Sequence, residues 1–302
     1  MLPASSALFD PDMWSSMLSS PFMARSFIVA ILVGSTAPII GTYLVQRRLS
    51  LLGDGIGHVS LTGVAFGWLL GGWMGLSDQG ALAIPGAMVA AVVGAVLIEV
   101  VRQRGSATGD LALALLFYGG IAGGVLLMGL AGGSTTNLNS YLFGSIASVS
   151  WADVTWTIGL AIALLIVGIG LRSALFSLTH DEEFAIAQGL PTQVLTILIA
   201  VTSALTVATA MRVVGVLLVS ALMIVPVAIA QLFMPSFRST MVFAQVVGTL
   251  VCMIGLVLSY AYPLSSGATI VVVLILLYLI GAVFRPLVNR MRVNAYTQKA
   301  NQ

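Results

Sequence analysis

The chain has 302 residues, 59% of them hydrophobic and only 7% charged, with a formal net charge of +2. A soluble domain carries about 25% charged residues, so this chain could not cover its own surface in water; in lipid it need not. A single cysteine, Cys252, excludes an intramolecular disulfide, and a single lysine, Lys299 in the C-terminal tail, excludes a phosphate-cradling Walker loop.

The first 24 residues lack a basic start and contain Asp10, Pro11 and Asp12, so 1–24 reads as a short external tail rather than a signal peptide. Nine apolar runs follow, at about 26–46, 57–76, 80–101, 111–130, 154–171, 193–211, 213–233, 241–261 and 267–284. Each approaches the ~20 residues that a helix needs to cross the hydrocarbon. Only Arg212 and nearby Gly215 divide the run ending at 211 from the next. The pattern predicts an all-α integral membrane protein, a polytopic bundle of about nine transmembrane helices in one domain over 25–285, with a tail at 286–302.

Basic loops stay in the cytoplasm. With the N-terminus outside and the C-terminus inside, ten of the twelve basic residues fall inside, among them Arg47, Arg48, Arg102 and Arg172, and only Arg25 and Arg212 fall outside. A multi-pass protein of a bacterial inner membrane is expected in that orientation.

The second span opens on Leu52-Gly53-Asp54-Gly55-Ile56-Gly57-His58-Val59-Ser60. Spacing of four puts Asp54 and His58 on one helical face, one turn apart. Ionisable groups in a span are costly and therefore functional candidates, and a carboxylate with an imidazole suits zinc or manganese. One copy supplies only two ligands; a twofold dimer would bring two aspartates and two histidines together, with Gly53, Gly55 and Gly57 permitting close approach. An internal hydrogen-bonded pair and a proton relay are the other readings of the same residues. Gly63, Gly67 and Gly71, one turn apart, signal tight helix packing, and Glu99 beside Arg102 reads as an interfacial pair.

Residues 131–153 carry no basic residue, as an external loop should; 138–149 is either an ordinary loop or a short helix dipping into the interface. In 172–192, Asp181, Glu182 and Glu183 precede Phe184 and Ala185, and Gly189-Leu190-Pro191 closes the segment. Acidic residues at the start and Gly then Pro at the end are helix punctuation, so a short cytoplasmic helix is expected, either a solvated linker or a docking element. Arg212 snorkels if it sits at the outer end of its helices, and needs an anionic partner if it sits deeper. No HExxH or GxSxG motif supports a hydrolase.

Four stretches together resemble the metal-ion permease family of ABC importers: Arg47–Asp54 running into His58–Gly67, Asn139–Ser145, Asp181–Ala185 with Gly189, and Ala210–Gly215 running on to Ser220–Pro226. The resemblance covers about Ala24 to Ala282. It implies a homodimer of permeases, cytoplasmic ATP-binding subunits that hydrolyse the ATP, an extracytoplasmic metal-binding protein, surrounding membrane lipid, and no nucleic acid. It implies that Asp54 and His58 line the metal path and that 181–190 docks the ATPase. No permanently bound cofactor is implied; the metal is cargo. Phe117 and Tyr118 stand where some zinc-type members carry another histidine. Thr62 stands where manganese-type members often carry proline, which together with Gly63–Gly67 leans the expectation toward zinc. Manganese or iron(II) in the same kind of importer is the alternative, and a gradient-driven transporter a more distant one.

Overall fold

The structure is a computed structural model that describes residues 11–76, 78–103, 109–132, 141–144, 149–211, 214–262 and 264–300. The described residues are almost entirely helical. Every apolar run falls on a helix: α2 (Pro21–Gln46), α3 (Leu52–Trp73), α4 (Ala83–Gln103), α5 (Gly109–Leu130), α6 (Trp151–Leu165), α9 (Thr192–Ala210), α10 (Val216–Phe233), α11 (Phe237–Ala261) and α12 (Ser266–Ala300). Three short helices complete the set: α1 (Pro11–Ser19), α7 (Arg172–His180) and α8 (Glu182–Ala187). Among the described residues, seven helices are long and apolar enough to cross a membrane. The remaining two runs fall on α10, which is shorter, and on α3, whose apolar character is diluted by Asp54, His58 and its glycines.

Local chemistry sets the ends. Ser150 and Asp153 cap α6 reciprocally: the Asp153 N–H donates to Ser150 Oγ at 3.3 Å and the Ser150 N–H to Asp153 Oδ2 at 2.8 Å. Ser236 and Ser239 do the same for α11. α6 continues through a π-helical turn, Ile166–Gly170, where the buried Tyr43 hydroxyl donates to the Gly168 carbonyl at 2.6 Å. Between α10 and its predecessor, Gly215 holds φ 94° and packs so tightly on the 141–144 turn that a side chain there would strike the Leu142 carbonyl. Arg212 itself lies outside the described residues.

α3 begins at Leu52, where the second span was expected to open, so Asp54 and His58 lie in its first two turns. Two segments hold more helix than expected. The tail contains α1, which buries Met17 and leaves Trp14 and Leu18 exposed; Tyr260 reaches it through Ser16 at 3.3 Å. Its short apolar spacing was masked by the prolines and serines around it. α12 runs without a break from Ser266 to Ala300, through Pro286 and past the expected end of its span. Of 138–149, only 141–144 and Val149 are described; Tyr141–Phe143 make one helical turn.

α2 and α9 form the most buried part of the bundle, with α3 and α10 packed on them, whereas α5 and α12 present mostly outward apolar faces. α3 lies against α4 and α5. Side chains at Gly63 and Gly67 would overlap the carbonyls of Gly86 and Leu82, so the glycine row brings the α3 and α4 backbones into direct contact, as small residues do between membrane helices.

At one end of the bundle, α2 turns back into α3 through Arg47–Leu51. The turn is closed by hydrogen bonds from the Arg48 N–H to Val45 at 3.1 Å and from the Leu49 N–H to Leu44 at 2.9 Å. That pairing places the residue just after the helix cap in the left-handed region, a position normally held by glycine; here it is Arg48, at φ 59°.

Candidate metal-path site and docking helix

Asp54 sits in the first turn of α3. The Ser220 hydroxyl, from α10, donates to Asp54 Oδ1. Asp54 lines a cavity of about 260 Å³ with Leu51, Gly55, Leu113, Phe117 and Tyr118. One turn on, His58 is 4% exposed. Its ring meets the edge of Phe117 with centroids 4.3 Å apart. His58 Nδ1 is buried and has no hydrogen-bond partner. Buried polar atoms are almost always paired, so this imidazole nitrogen, one turn from a carboxylate, is a candidate ligand atom.

The fold holds this pair by close approach on two sides. A side chain at Gly120 of α5 would collide with the His58 backbone, and the Thr62 hydroxyl donates to the Gly120 carbonyl at 2.7 Å. On the other side, a Cβ at Gly53 would lie 3.2 Å from Ser220 Cβ, and one at Gly57 3.3 Å from Val216. Among the described residues, no group of three or more His, Cys, Asp and Glu side chains converges. Asp54 and His58 therefore offer one carboxylate and one imidazole per chain.

The expected cytoplasmic helix is α8. The Asp181 carboxylate caps it, accepting the Phe184 N–H at 2.9 Å. Gly189, at φ 76°, ends it, with the Gly189 N–H donating to Ile186 at 2.9 Å and the Leu190 N–H to Ala185 at 3.1 Å. Ala185 is buried, whereas Phe184 and Ile186 are 54% and 58% exposed. Two large apolar side chains thus stand exposed on a six-residue helix whose first turn carries Glu182 and Glu183.

A contact that the sequence does not signal lies at the start of α8. Arg47 donates to Glu182 Oε2 at 3.2 Å and to Thr196 Oγ1 at 2.9 Å. Burial and the neighbouring Arg102 lower its pKa from the usual guanidinium value, while Glu182 and Glu99 raise it. Glu99 and Arg102 form the expected pair at 2.9 Å. Nothing in the spacing of Arg47, Glu182 and Thr196 signals their meeting. Ser220 was equally hidden, although it lies within the last of the four stretches noted above.

The sequence matches the ABC 3 transport family over residues 19–285. It is 31% identical to the manganese import system permease protein ScaB of Streptococcus parasanguinis, covering 88% of this chain and 91% of that one. It is 28% identical to the chelated iron transport system membrane protein YfeD of Yersinia pestis, covering 89% and 88%. Among solved structures it is similar to PsaBC from Streptococcus pneumoniae, determined in complex with a Fab, at a TM-score of 0.78 and 30% identity over 89% of this chain and 94% of that one. The chain belongs to the ABC 3 transport family as the multi-pass permease of an ABC metal importer, with ATP hydrolysis left to a separate subunit.

Proposed function

We propose that Asp54 and His58 are the metal-contacting residues of the transport path. The observation that carries this reading is the buried, unpartnered Nδ1 of His58 one turn from a carboxylate that lines a cavity. Two ligands are too few for a divalent transition metal, which takes about four. A second copy of the chain, related by a twofold axis, supplies the other two. The outward apolar side chains of α5 beside the cavity, Leu111, Leu115 and Tyr118, suit such a contact. The N-terminus lies outside and the C-terminus in the cytoplasm, so α8 faces cytoplasmic ATP-binding subunits with Phe184 and Ile186 as its anchors, and an extracytoplasmic metal-binding protein delivers cargo to the opposite end.

The cargo is a divalent transition metal, zinc or manganese. A carboxylate and imidazole pair accepts zinc, manganese and iron(II) alike. Relatives named for manganese and for chelated iron support those metals; Thr62 and the Gly63–Gly67 run support zinc.

The test is metal uptake into vesicles containing the permease, the ATP-binding subunits and the binding protein. Asp54→Ala and His58→Ala are expected to reduce uptake at least tenfold while the complex still assembles, and competition between zinc and manganese then names the cargo. Normal uptake by both variants would make the pair structural.

A further inference from the structure

At the inner end of the bundle, four elements meet on one side chain. Arg47 ends α2, is only 6% exposed in its side chain, and spreads its guanidinium between Glu182 at the start of α8 and Thr196 in the first turns of α9. Arg102 and Glu99, from the end of α4, are close enough to act on its charge. An arginine forked across two partners fixes direction as well as distance, which a lysine could not do. Arg47 is also the first residue of the turn that enters α3, seven positions before Asp54.

That turn is poised to move. Its left-handed position is filled by Arg48 at φ 59°, a conformation that ordinary side chains adopt only when their surroundings hold them there. A cavity of about 140 Å³ lies against it, lined by Arg48, Leu49, Ser50, Leu52, Glu99 and Arg102 among others. The turn is therefore strained, has space beside it, and is tied by one ion pair to α8.

We infer that Arg47 is a positioning residue that transmits movement of the docking helix, through Glu182, into the Arg47–Leu51 turn and so to Asp54 on α3. The inference rests on the reading of α8 as the ATPase-docking helix and of Asp54 as a metal-path residue. It adds the physical link between them. Arg47 lies outside α8 and its side chain is only 6% exposed, so it can be altered without touching the exposed Phe184 and Ile186.

The test uses the complete transporter in proteoliposomes and reads metal ions taken up per ATP hydrolysed. For Arg47→Gln, which lies outside the 181–190 segment, the expected result is wild-type assembly and ATPase rate with that ratio reduced on the order of fivefold or more, within the usual range of site-to-site coupling. The charge swap Arg47→Glu with Glu182→Arg is expected to recover part of the ratio lost in Arg47→Glu alone. An unchanged ratio in Arg47→Gln overturns the inference. Loss of assembly in Arg47→Gln overturns it too, because the Arg47–Glu182 contact would then act in docking. Failure of the wild-type transporter to move metal would sink the proposed function instead, so the two failures are distinguishable.

Discussion

Asp54 is held by one hydrogen bond from another helix, and that bond can be removed alone. Ser220→Ala leaves the carboxylate in place but free to turn. A typical hydrogen bond contributes about 1 kcal/mol net, so uptake is expected to fall about fivefold, less than in Asp54→Ala, with assembly unchanged. His58 rests on shape instead. Gly120→Val drives a side chain into the His58 backbone and is expected to destabilise the detergent-solubilised protein by about 1–3 kcal/mol, read as a lowered melting temperature. The adjacent Gly119 faces open space, so Gly119→Val is expected to melt like the wild type; equal losses at both positions would contradict this packing. Asp54 and His58 were legible in the sequence because both lie on one helix, four residues apart, among glycines. Ser220 was not, because it lies 166 residues from Asp54 and a lone serine on an apolar helix gives no sign of where it points.

Helix α8 was legible for a similar reason: its cap, its acidic first turn and its glycine stop are local chemistry. Its exposed Phe184 and Ile186 give the docking reading a direct check. Phe184→Asp is expected to abolish co-purification of the ATP-binding subunits while the permease stays folded; intact co-purification would move docking elsewhere. Gly189 has open space around it but a positive φ, so Gly189→Val meets no clash and only backbone strain of about 1–2 kcal/mol. It is expected to weaken ATPase-subunit binding without changing the fold. The equivalent position after α2 carries Arg48 in the same backbone state, which no sequence rule predicts, since arginine gives no local signal for a left-handed turn. α1 was missed because nine residues between prolines are too few for a helical period to stand out.

For the whole molecule, the distribution of arginines predicted which end faces the cytoplasm, and the orientation can be measured. Cys252 is fully buried and gives little background to a membrane-impermeant maleimide. Asp78→Cys, at an exposed turn between α3 and α4, is expected to label in intact cells, whereas Glu183→Cys, exposed on α8, is expected to label only after permeabilisation; the opposite pattern would invert the topology. The bundle itself was legible because lipid demands long apolar helices with internally satisfied backbones; the order in which they pack was not, because it depends on where backbones touch. One such contact sets the leverage available to the transporter. Gly63 and Gly67 pin the middle of α3 to α4, and Asp54 lies roughly 16 Å down the helix from that pin at 1.5 Å per residue. If the pinned contact acts as a fulcrum, a tilt of about 10° swings the Asp54 end by about 3 Å, further than the ~2 Å length of a metal–oxygen bond, so a slight rocking of one rod suffices to make or break a grip on the ion.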